Sequence, residues 1–546
     1  MAKWKKGVSL TLITVLSSIA VLSGCSSDGK PAASDSGKQG TTQSTGVKFG
    51  EQQLDISFYG NYDWFTMPVW GQDLATKWVK ENKKVNVTGV PNGGNSEQKF
   101  NTLMASKELP DVIWLERGAQ VEKLRAAGML VSFDEYLDKY PNLKKWAGEA
   151  TLNMLRSSDG KLYQFPNWYT QRPAGNAGYM INLKIYKELG EPKLETYDDL
   201  YAYLKQVKAK YPEVTPFDSG VQAQNVEIMY PGFANDHPVT NISMRAVPEG
   251  NELKSIFADP VYRESLTYSS KLFREKLITQ DVLTQTKDQI DEKVNNGKVA
   301  VMAASSVTEF GSKGTTALQT KDPSHPGYQM IWPVHKEGVD KTKVFPGHYA
   351  TLGWNVNVIT KSAKNPEAIF AFLDWMTGEE GQRVMFWGPE GEYWQGVDEK
   401  GTPKFTDKYY SDATGRAKLM DSLVNLQWVG NTTYIDTAKT DIELKLPPEK
   451  QSWETRNQTQ VAWKTVFNRT EFVNLDPPSN TEEGMVQQRI KDIFTESRAK
   501  ALFAKSDAEV TSILDKAEKD AQAAGYAKLL KYQTERWQEN KKKIGK

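Results

Sequence analysis

After about residue 50, the pattern of apolar and polar positions alternates between a strand period and a helix period. Residues 54–59 alternate apolar and polar side chains, which predicts a strand. Trp70, Leu74 and Trp78 recur at helical spacing and predict a helix with these residues on one face. Residues 85–87 predict the next strand. The chain therefore opens with a strand, a helix and a second strand.

The next segments repeat this order, with a helix predicted over 97–106 and a strand over 111–115. Strands separated by single helices form parallel sheets covered by helices on both faces. In such sheets, ligands bind beyond the carboxyl ends of the strands. The segments at these ends are 59–64 and 114–117, so we expect binding residues there.

Later segments carry helix boundaries that are easier to read. Thr196 is a good N-cap for a helix that stops before Pro212, and Asn365 and Gly378 bound another helix. The remaining predicted elements are strands ending near 166 and over 299–302, 329–334 and 352–359, and mostly helix over the last hundred residues. The chain is therefore predicted to be α/β throughout, with a helical C-terminal part.

The first 25 residues read as a targeting signal. Three lysines precede an apolar run over 8–22, which is shorter than the roughly twenty residues of a membrane span. Leu22-Ser23-Gly24-Cys25 then looks like a bacterial lipoprotein box. We expect residues 1–24 to be removed and Cys25 to carry a diacylglycerol anchor with palmitate-type acyl chains. The alternatives are a secretory peptide that contains a cysteine by chance, or a buried thiol.

Composition narrows the class of protein. Cys25 is the only cysteine, which excludes an internal disulfide. Residues 25–46 are mostly small and polar and predict a flexible tether. The remaining chain of about 500 residues exceeds one hydrophobic core, so two or more lobes are expected. The balance of 69 basic and 68 acidic side chains argues against a nucleic-acid partner.

Several short motifs carry a family resemblance when taken in order: Leu109-Pro110-Asp111-Val112, Phe133-Asp134-Glu135-Tyr136-Leu137, residues 159–166, Thr196-Tyr197-Asp198-Asp199-Leu200 and residues 364–382. Together they resemble the family 1 extracellular solute-binding proteins, and in particular the large Paenibacillus-type lipoproteins. The resemblance implies a periplasmic-binding-protein-like fold, with two α/β lobes joined by a hinge around a cleft. By analogy, residues 47–166 and 330–390 form the N-terminal lobe, and residues 167–329 and 391–546 form the C-terminal lobe.

Sugars present apolar C–H faces and hydroxyl groups, so their sites combine aromatic platforms with carboxylates, amides and arginines. Four clusters of this kind lie where strand ends or crossings would meet the cleft. The candidate ligand-binding residues are Tyr59, Asn61, Tyr62 and Trp64; Trp114 and Glu116; Trp168 and Tyr169; and Trp387, Glu390 and Trp394, with Glu309 and Trp354 as further candidates. The alternatives are a surface turn for the first cluster, a core position for Trp114, and packing between lobes for residues 387–394.

The resemblance implies a monomeric binding protein without catalytic residues or a cofactor. It would capture a sugar or oligosaccharide on the outer face of a Gram-positive cell membrane and deliver it to an ABC permease with a cytoplasmic ATPase. Two alternatives stay open: a surface carbohydrate-active enzyme, for which Glu390 and Glu392 are the candidate carboxylates, and a glycan-sensing lipoprotein without transport. No metal-ligand spacing is visible, so no metal site is predicted.

Overall fold

The structure is a computed structural model that describes residues 48–412, 414–415, 419, 429–448, 451–478 and 480–546. The predicted signal peptide, Cys25 and the tether lie outside these residues. Within them, the strands are β1 (Leu54–Gly60), β2 (Val85–Gly89), β3 (Val112–Glu116), β4 (Phe165–Asn167), β5 (Gly178–Asn182), β6 (Thr215–Ser219), β7 (Ala246–Glu249), β8 (Glu252–Ser255), β9 (Val299–Ala304), β10 (Tyr328–Ile331), β11 (Gly347–Tyr349), β12 (Asn355–Ile359), β13 (Trp394–Val397), β14 (Pro403–Phe405) and β15 (Val466–Asn468).

The helices complete the alternation that the sequence pattern predicts. They are α1 (Leu74–Asn82), α2 (Ser96–Ser106), α3 (Ala119–Ala126), α4 (Asn142–Ala147), α5 (Glu149–Leu155), α6 (Leu183–Glu188), α7 (Tyr197–Lys210), α8 (Gln224–Met229), α9 (Thr240–Met244), α10 (Pro260–Arg274), α11 (Lys287–Asn295), α12 (Val307–Lys321), α13 (Pro366–Thr377), α14 (Glu379–Trp387), α15 (Asp407–Ser411), α16 (Thr432–Glu443), α17 (Trp453–Gln460), α18 (Glu482–Leu502), α19 (Asp507–Ala523) and α20 (Tyr526–Lys543).

The first sheet has five strands in the order β2-β1-β3-β12-β4. β1 runs parallel to β2 and β3, as the alternation of strands and helices predicts, whereas β12 runs antiparallel to β3 and β4. The last residues of β1, Phe58 to Gly60, are all buried because the strand lies inside the sheet and both of its faces are covered. This sheet therefore brings the carboxyl ends of β1 and β3 to one edge.

The second sheet has four strands in the order β10-β5-β9-β6. β6 runs parallel to β9, and β5 runs antiparallel to both β9 and β10. Every residue of β9 is buried. Val301 and Ala303 belong to one hydrophobic cluster, whereas Met302 and Ala304 belong to another, because successive side chains of a strand point to opposite faces.

Each of these sheets has its own hydrophobic core. The core of the first sheet includes Ile56, Leu115 and Val358, and the core of the second includes Tyr179 and Val301. The predicted two-lobed α/β fold is confirmed.

The predicted lobe boundaries stay a prediction, but two segments differ from them. β10 pairs with β5 in the second sheet, although the N-terminal lobe was expected to resume at residue 330. Trp394, Tyr409 and Tyr434 are buried in the first core, although residues after 390 were expected in the C-terminal lobe. In both cases the chain crosses between the lobes later than the analogy implies. β10 still pairs with a strand of the second sheet, and Trp394, Tyr409 and Tyr434 still pack in the first core.

Local signals predict several helix boundaries correctly. The Thr196 side chain accepts a hydrogen bond from the N–H of Asp199, and the Asp199 side chain accepts one from the N–H of Thr196, which forms a capping box at the start of α7. The predicted face of α1 is wrong. Asp73 caps α1, so the helix begins at Leu74, and it buries Ala75 and Val79 while Leu74 is exposed.

The C-terminal part is helical, as predicted. α18, α19 and α20 contribute Ile490, Leu514 and Trp537 to the second core. The part of the chain that the structure describes contains no helix that is both long and apolar enough to cross a membrane.

Candidate ligand-binding site

The candidate site lies at the edge of the first sheet where β1 and β3 end. The N–H of Asn61 donates to the C=O of Trp114 at 2.8 Å, so the segments that leave the two strands stay together. β12 begins at the same edge, because it runs antiparallel to β3 and pairs Asn355 with Glu116. Three chain segments that are far apart in the sequence therefore meet here.

Four aromatic residues form a connected group at this edge, which we call the aromatic shelf: Tyr62, Trp64, Trp114 and Trp354. The Tyr62 ring centroid lies 4.8 Å from that of Trp114, 5.3 Å from that of Trp64 and 5.4 Å from that of Trp354. Tyr62 and Trp114 are buried, whereas Trp64 is 60% exposed and Trp354 is 41% exposed. Two buried rings thus hold two exposed rings in place.

The shelf also contains hydrogen-bonding groups that the protein does not use internally. The Tyr62 hydroxyl, the Trp114 Nε1 and the Asn355 Nδ2 are buried, and none has a hydrogen-bond partner among the residues that the structure describes. The Asn167 Nδ2 donates to the Asn355 Oδ1 at 2.9 Å, which holds the Asn355 amide in one orientation. A buried polar group without a partner costs about 1–3 kcal/mol.

Glu116 supplies a carboxylate beside the shelf. Its side chain is exposed, yet the surrounding protein removes enough water to raise its pKa, and the nearby Arg117 only partly opposes this effect. Burial, followed by the charge of Glu116, also raises the pKa of the Tyr62 hydroxyl far above its usual range. The Tyr62 hydroxyl is therefore a neutral donor at physiological pH.

Tyr59 and Asn61 were predicted as ligand-binding residues, but the structure places them below the shelf. Tyr59 is fully buried, and its hydroxyl donates to the C=O of Ser96 at 2.6 Å. Asn61 is also buried, and its Nδ2 donates to the Gln120 Oε1 at 3.2 Å. Both side chains are engaged inside the lobe because β1 is covered on both faces. We leave them out of the proposed site.

The predicted pair at the hinge divides in a similar way. Tyr169 is fully buried, and its hydroxyl lies 2.6 Å from the Thr377 hydroxyl, so it is a core residue rather than a ligand contact. Trp168 is partly exposed, and its ring lies 6.1 Å from that of Phe386. Its role in binding stays a prediction.

The cluster over residues 387–394 is used for packing. Trp387 and Trp394 are buried in the first core, and the Trp394 Nε1 donates to the C=O of Gly388 at 2.9 Å. Glu390 accepts a hydrogen bond from the N–H of Gly396 at 2.7 Å, within the same turn. Glu392 pairs with Lys408 at 2.7 Å. These contacts place residues 387–394 in the packing of the first core, and Glu390 and Glu392 are both engaged locally. A role of Trp387, Glu390 or Trp394 in binding stays a prediction.

Glu309 lies in the first turn of α12, after the carboxyl end of β9. It pairs with Lys313 at 2.8 Å and with Lys287 at 3.2 Å. Burial works to raise its pKa, but these two lysines outweigh that effect and lower it. The negative charge of Glu309 is therefore already balanced by two lysines of the protein. Its contact with a ligand stays a prediction. Among the described residues, no group of three or more histidine, cysteine or acidic side chains is arranged to hold a metal ion.

Sequence reasoning missed one side chain near the site. Arg469 follows β15, and its N–H donates to the C=O of Tyr349 at 2.8 Å. Arg117, which follows Glu116, donates from its guanidinium to the C=O of Gly353, immediately before Trp354. No local pattern marks Arg469, because only the pairing of β15 with β11 brings it here.

The shelf residues fall within a segment that matches a known family. A family model described as bacterial extracellular solute-binding protein matches residues 62–383. The chain belongs to this family. The match begins at Tyr62 and includes Trp64, Trp114, Glu116 and Trp354.

Individual relatives agree with this assignment. Lipoprotein LipO of Bacillus subtilis is 27% identical over 326 residues, which cover 57% of this chain and 62% of LipO, less than two thirds of its length. The polygalacturonan/rhamnogalacturonan-binding protein YtcQ of the same organism is 22% identical over 411 residues, which cover 73% of this chain and 75% of YtcQ. An extracellular solute-binding protein from Bifidobacterium longum subsp. infantis has the same fold, with a TM-score of 0.67, 17% identity and coverage of 92% of this chain and 100% of that protein.

Proposed function

We propose that this protein captures a sugar or oligosaccharide outside the cell and delivers it to an ABC importer. The observation that carries the proposal is the aromatic shelf, with its two exposed tryptophans beside unused hydrogen-bond donors. Apolar ring faces with a few convergent polar groups are what a sugar requires, because a sugar offers C–H faces for stacking and hydroxyls for hydrogen bonds.

Membership of the solute-binding family supports binding rather than chemistry. The relative YtcQ is named as a polygalacturonan/rhamnogalacturonan-binding protein, which supports a carbohydrate ligand for this chain. We propose that the ligand leaves the protein unchanged and passes to membrane permease subunits. A catalytic role has no support from Glu390 and Glu392, since both are engaged by their own turn and by Lys408.

We further propose that the two lobes close on the ligand. The shelf belongs to the first sheet, and the second sheet would supply the opposite wall of the cleft. The chain passes between the sheets from β4 to β5 and from β10 to β12, and these crossings would act as the hinge. A diacylated Cys25 followed by the tether over 25–46 would hold the protein at the outer face of the membrane, since two acyl chains give stable attachment.

The test is a panel of oligosaccharides measured by titration calorimetry with the mature chain, followed by chromatography of the recovered ligand. We expect saturable binding of a subset of the panel with one ligand per protein, and recovery of the ligand at its original length. Amino acids and short peptides serve as control ligands and should give no heat. Absence of binding to every oligosaccharide, or recovery of cleaved products, would overturn the proposal.

A further inference from the structure

Arg117 lies beside the aromatic shelf, and the Arg469 guanidinium is near enough to Arg117 to repel its charge. Arg117 follows β3 and donates to the C=O of Gly353, and Arg469 follows β15 and bonds through its N–H to the C=O of Tyr349. The segment from Tyr349 to Gly353 therefore connects the two arginines and leads directly into Trp354. We call Arg117 and Arg469 the arginine pair.

The arginine pair has no carboxylate partner. Among the residues that the structure describes, no acidic oxygen lies within 4.0 Å of either guanidinium, and the Nε of each is buried without a hydrogen-bond partner. Some other arginines are paired, since Arg263 lies 2.6 Å from Asp515 and Arg498 pairs with Glu227, whereas Arg245 and Arg383 resemble the arginine pair in having a buried, unpartnered Nε. A buried cation without a counter-charge is unfavourable, so this arrangement favours an anion from outside the chain.

The charged surroundings leave the pair positive. Burial, followed by repulsion from Arg469, lowers the pKa of Arg117 to about 10, so Arg117 stays charged at neutral pH. His348 lies 3.4 Å from the Arg469 guanidinium, and burial followed by this charge lowers its pKa to about 3, so it is neutral. The neighbouring acids are Glu116, which influences Arg117, and Asp476, which influences Arg469. Neither lies within ion-pair distance of the guanidinium that it influences.

We propose that the site takes acidic sugars, uronic-acid oligosaccharides, whose carboxylate pairs with Arg117 and Arg469 while a sugar ring stacks on Trp64 or Trp354. This inference rests on the proposed function and narrows its ligand class. A carboxylate matches the planar fork of a guanidinium and forms two parallel hydrogen bonds with it. A neutral sugar could use the shelf but would leave both guanidiniums unpaired. Arg117 donates to the residue before Trp354, so a ligand stacked on Trp354 lies near this guanidinium.

The first test uses the unaltered mature chain and three ligands of equal length: a galacturonic-acid trisaccharide, its fully methyl-esterified form and a neutral galactose trisaccharide. Esterification removes the charge and keeps the sugar. We expect the uronate to bind about 30-fold or more tightly than its ester, because a charge pair that loses one partner typically costs at least 2 kcal/mol. Higher salt should weaken binding of the uronate and leave binding of the neutral ligands unchanged.

The second test uses Arg117→Gln and Arg469→Gln. Each variant should lose about tenfold or more in affinity for the uronate, and more than it loses for neutral trisaccharides, since each removes one charge-assisted contact. Arg536→Gln is the matched control, because Arg536 is an exposed arginine of α20 paired with Glu539. If one variant fails to fold, the other variant and the ester comparison still decide the question.

The outcomes separate this inference from the proposed function. Equal binding of uronate and ester, tighter binding of the neutral trisaccharide, or unchanged uronate affinity in both variants would overturn the inference and leave sugar binding intact. Tighter binding of a sulfated trisaccharide than of the uronate would overturn the choice of a carboxylate. Absence of binding to any oligosaccharide would overturn both.

Discussion

Truncation of Trp64 tests the aromatic shelf most directly. Trp64 is 60% exposed, and its ring lies 5.3 Å from that of Tyr62, 6.0 Å from that of Phe65 and 5.8 Å from that of Trp114. Trp64→Ala removes the more exposed of the two exposed rings of the shelf and leaves the buried rings in place. We expect weaker ligand binding and little change in the free energy of unfolding.

The exposed fraction of Trp64 sets the expected loss of ligand affinity. A tryptophan of about 250 Å² that is 60% exposed offers about 150 Å² to a ligand. If one sugar ring covers half of this area, about 75 Å² leaves water, which contributes about 1.9 kcal/mol, or about 25-fold in affinity. The same reasoning for Trp354, at 41% exposure, yields about 50 Å², or about 1.3 kcal/mol and ninefold. The order of the two losses is thus part of the prediction.

The assay is titration calorimetry of each variant with the tightest ligand of the oligosaccharide panel, together with chemical denaturation. Phe503→Ala is the control, because Phe503 is a 46% exposed aromatic residue at the end of α18 and its ring lies 4.8 Å from that of Phe273, away from the shelf. Unchanged affinity in both tryptophan variants would refute the shelf as the binding surface. A loss in Phe503→Ala equal to that in Trp64→Ala would refute the argument from exposed area.

Two further predictions concern stability and anchoring. Asp374 is buried and accepts hydrogen bonds from the N–H groups of Asn142 and Leu143, but burial outweighs them and raises its pKa from 3.8 to about 6. The folded state therefore keeps this proton to higher pH than the unfolded state, so the stability from Asp374 is complete below pH 3.8 and lost as pH rises through about 6, by up to about 3 kcal/mol. Denaturation at pH 4 and pH 7 should show this fall in the parent protein but not in Asp374→Asn, and equal falls would contradict it. Cys25→Ala should move the protein from the membrane fraction to the medium in cell fractionation, because the acylated sulfur is lost; full retention in the membrane would contradict the anchor.

The family and the element order could be predicted from the sequence because their signals act over short distances. The capping box of Thr196 and Asp199 lies within four residues, and α7 begins where it predicts. The alternation of strands and helices likewise predicts a parallel arrangement of β1, β2 and β3. From this, the rule for carboxyl strand ends points to the segments that hold Tyr62, Trp64 and Trp114, whose role in binding stays a prediction.

Which side chain in each segment faces outward was decided by the tertiary structure. Tyr59 and Tyr62 are three residues apart in similar sequence surroundings. Tyr59 is nevertheless fully buried inside the lobe, whereas Tyr62 packs against Trp114 in the shelf. Trp387 and Trp394, like Trp64, lie among polar and aromatic residues in the sequence. In the structure, however, both are buried in the first core. Burial depends on distant segments that a local pattern does not contain.

The sequence by itself was enough to predict the targeting signal, the α/β order of the elements and the strand ends at which a ligand site would form. Each of these depends on residues that are close together in the chain. Only the tertiary structure decided the site itself. Trp354 and Asn355 come to the ends of β1 and β3 because β12 inserts antiparallel beside β3. Arg469 comes to Arg117 because β15 pairs with β11, more than a hundred residues earlier in the chain. Such pairings follow from the packing of whole sheets, so the approach of these residues to one another is visible only after folding.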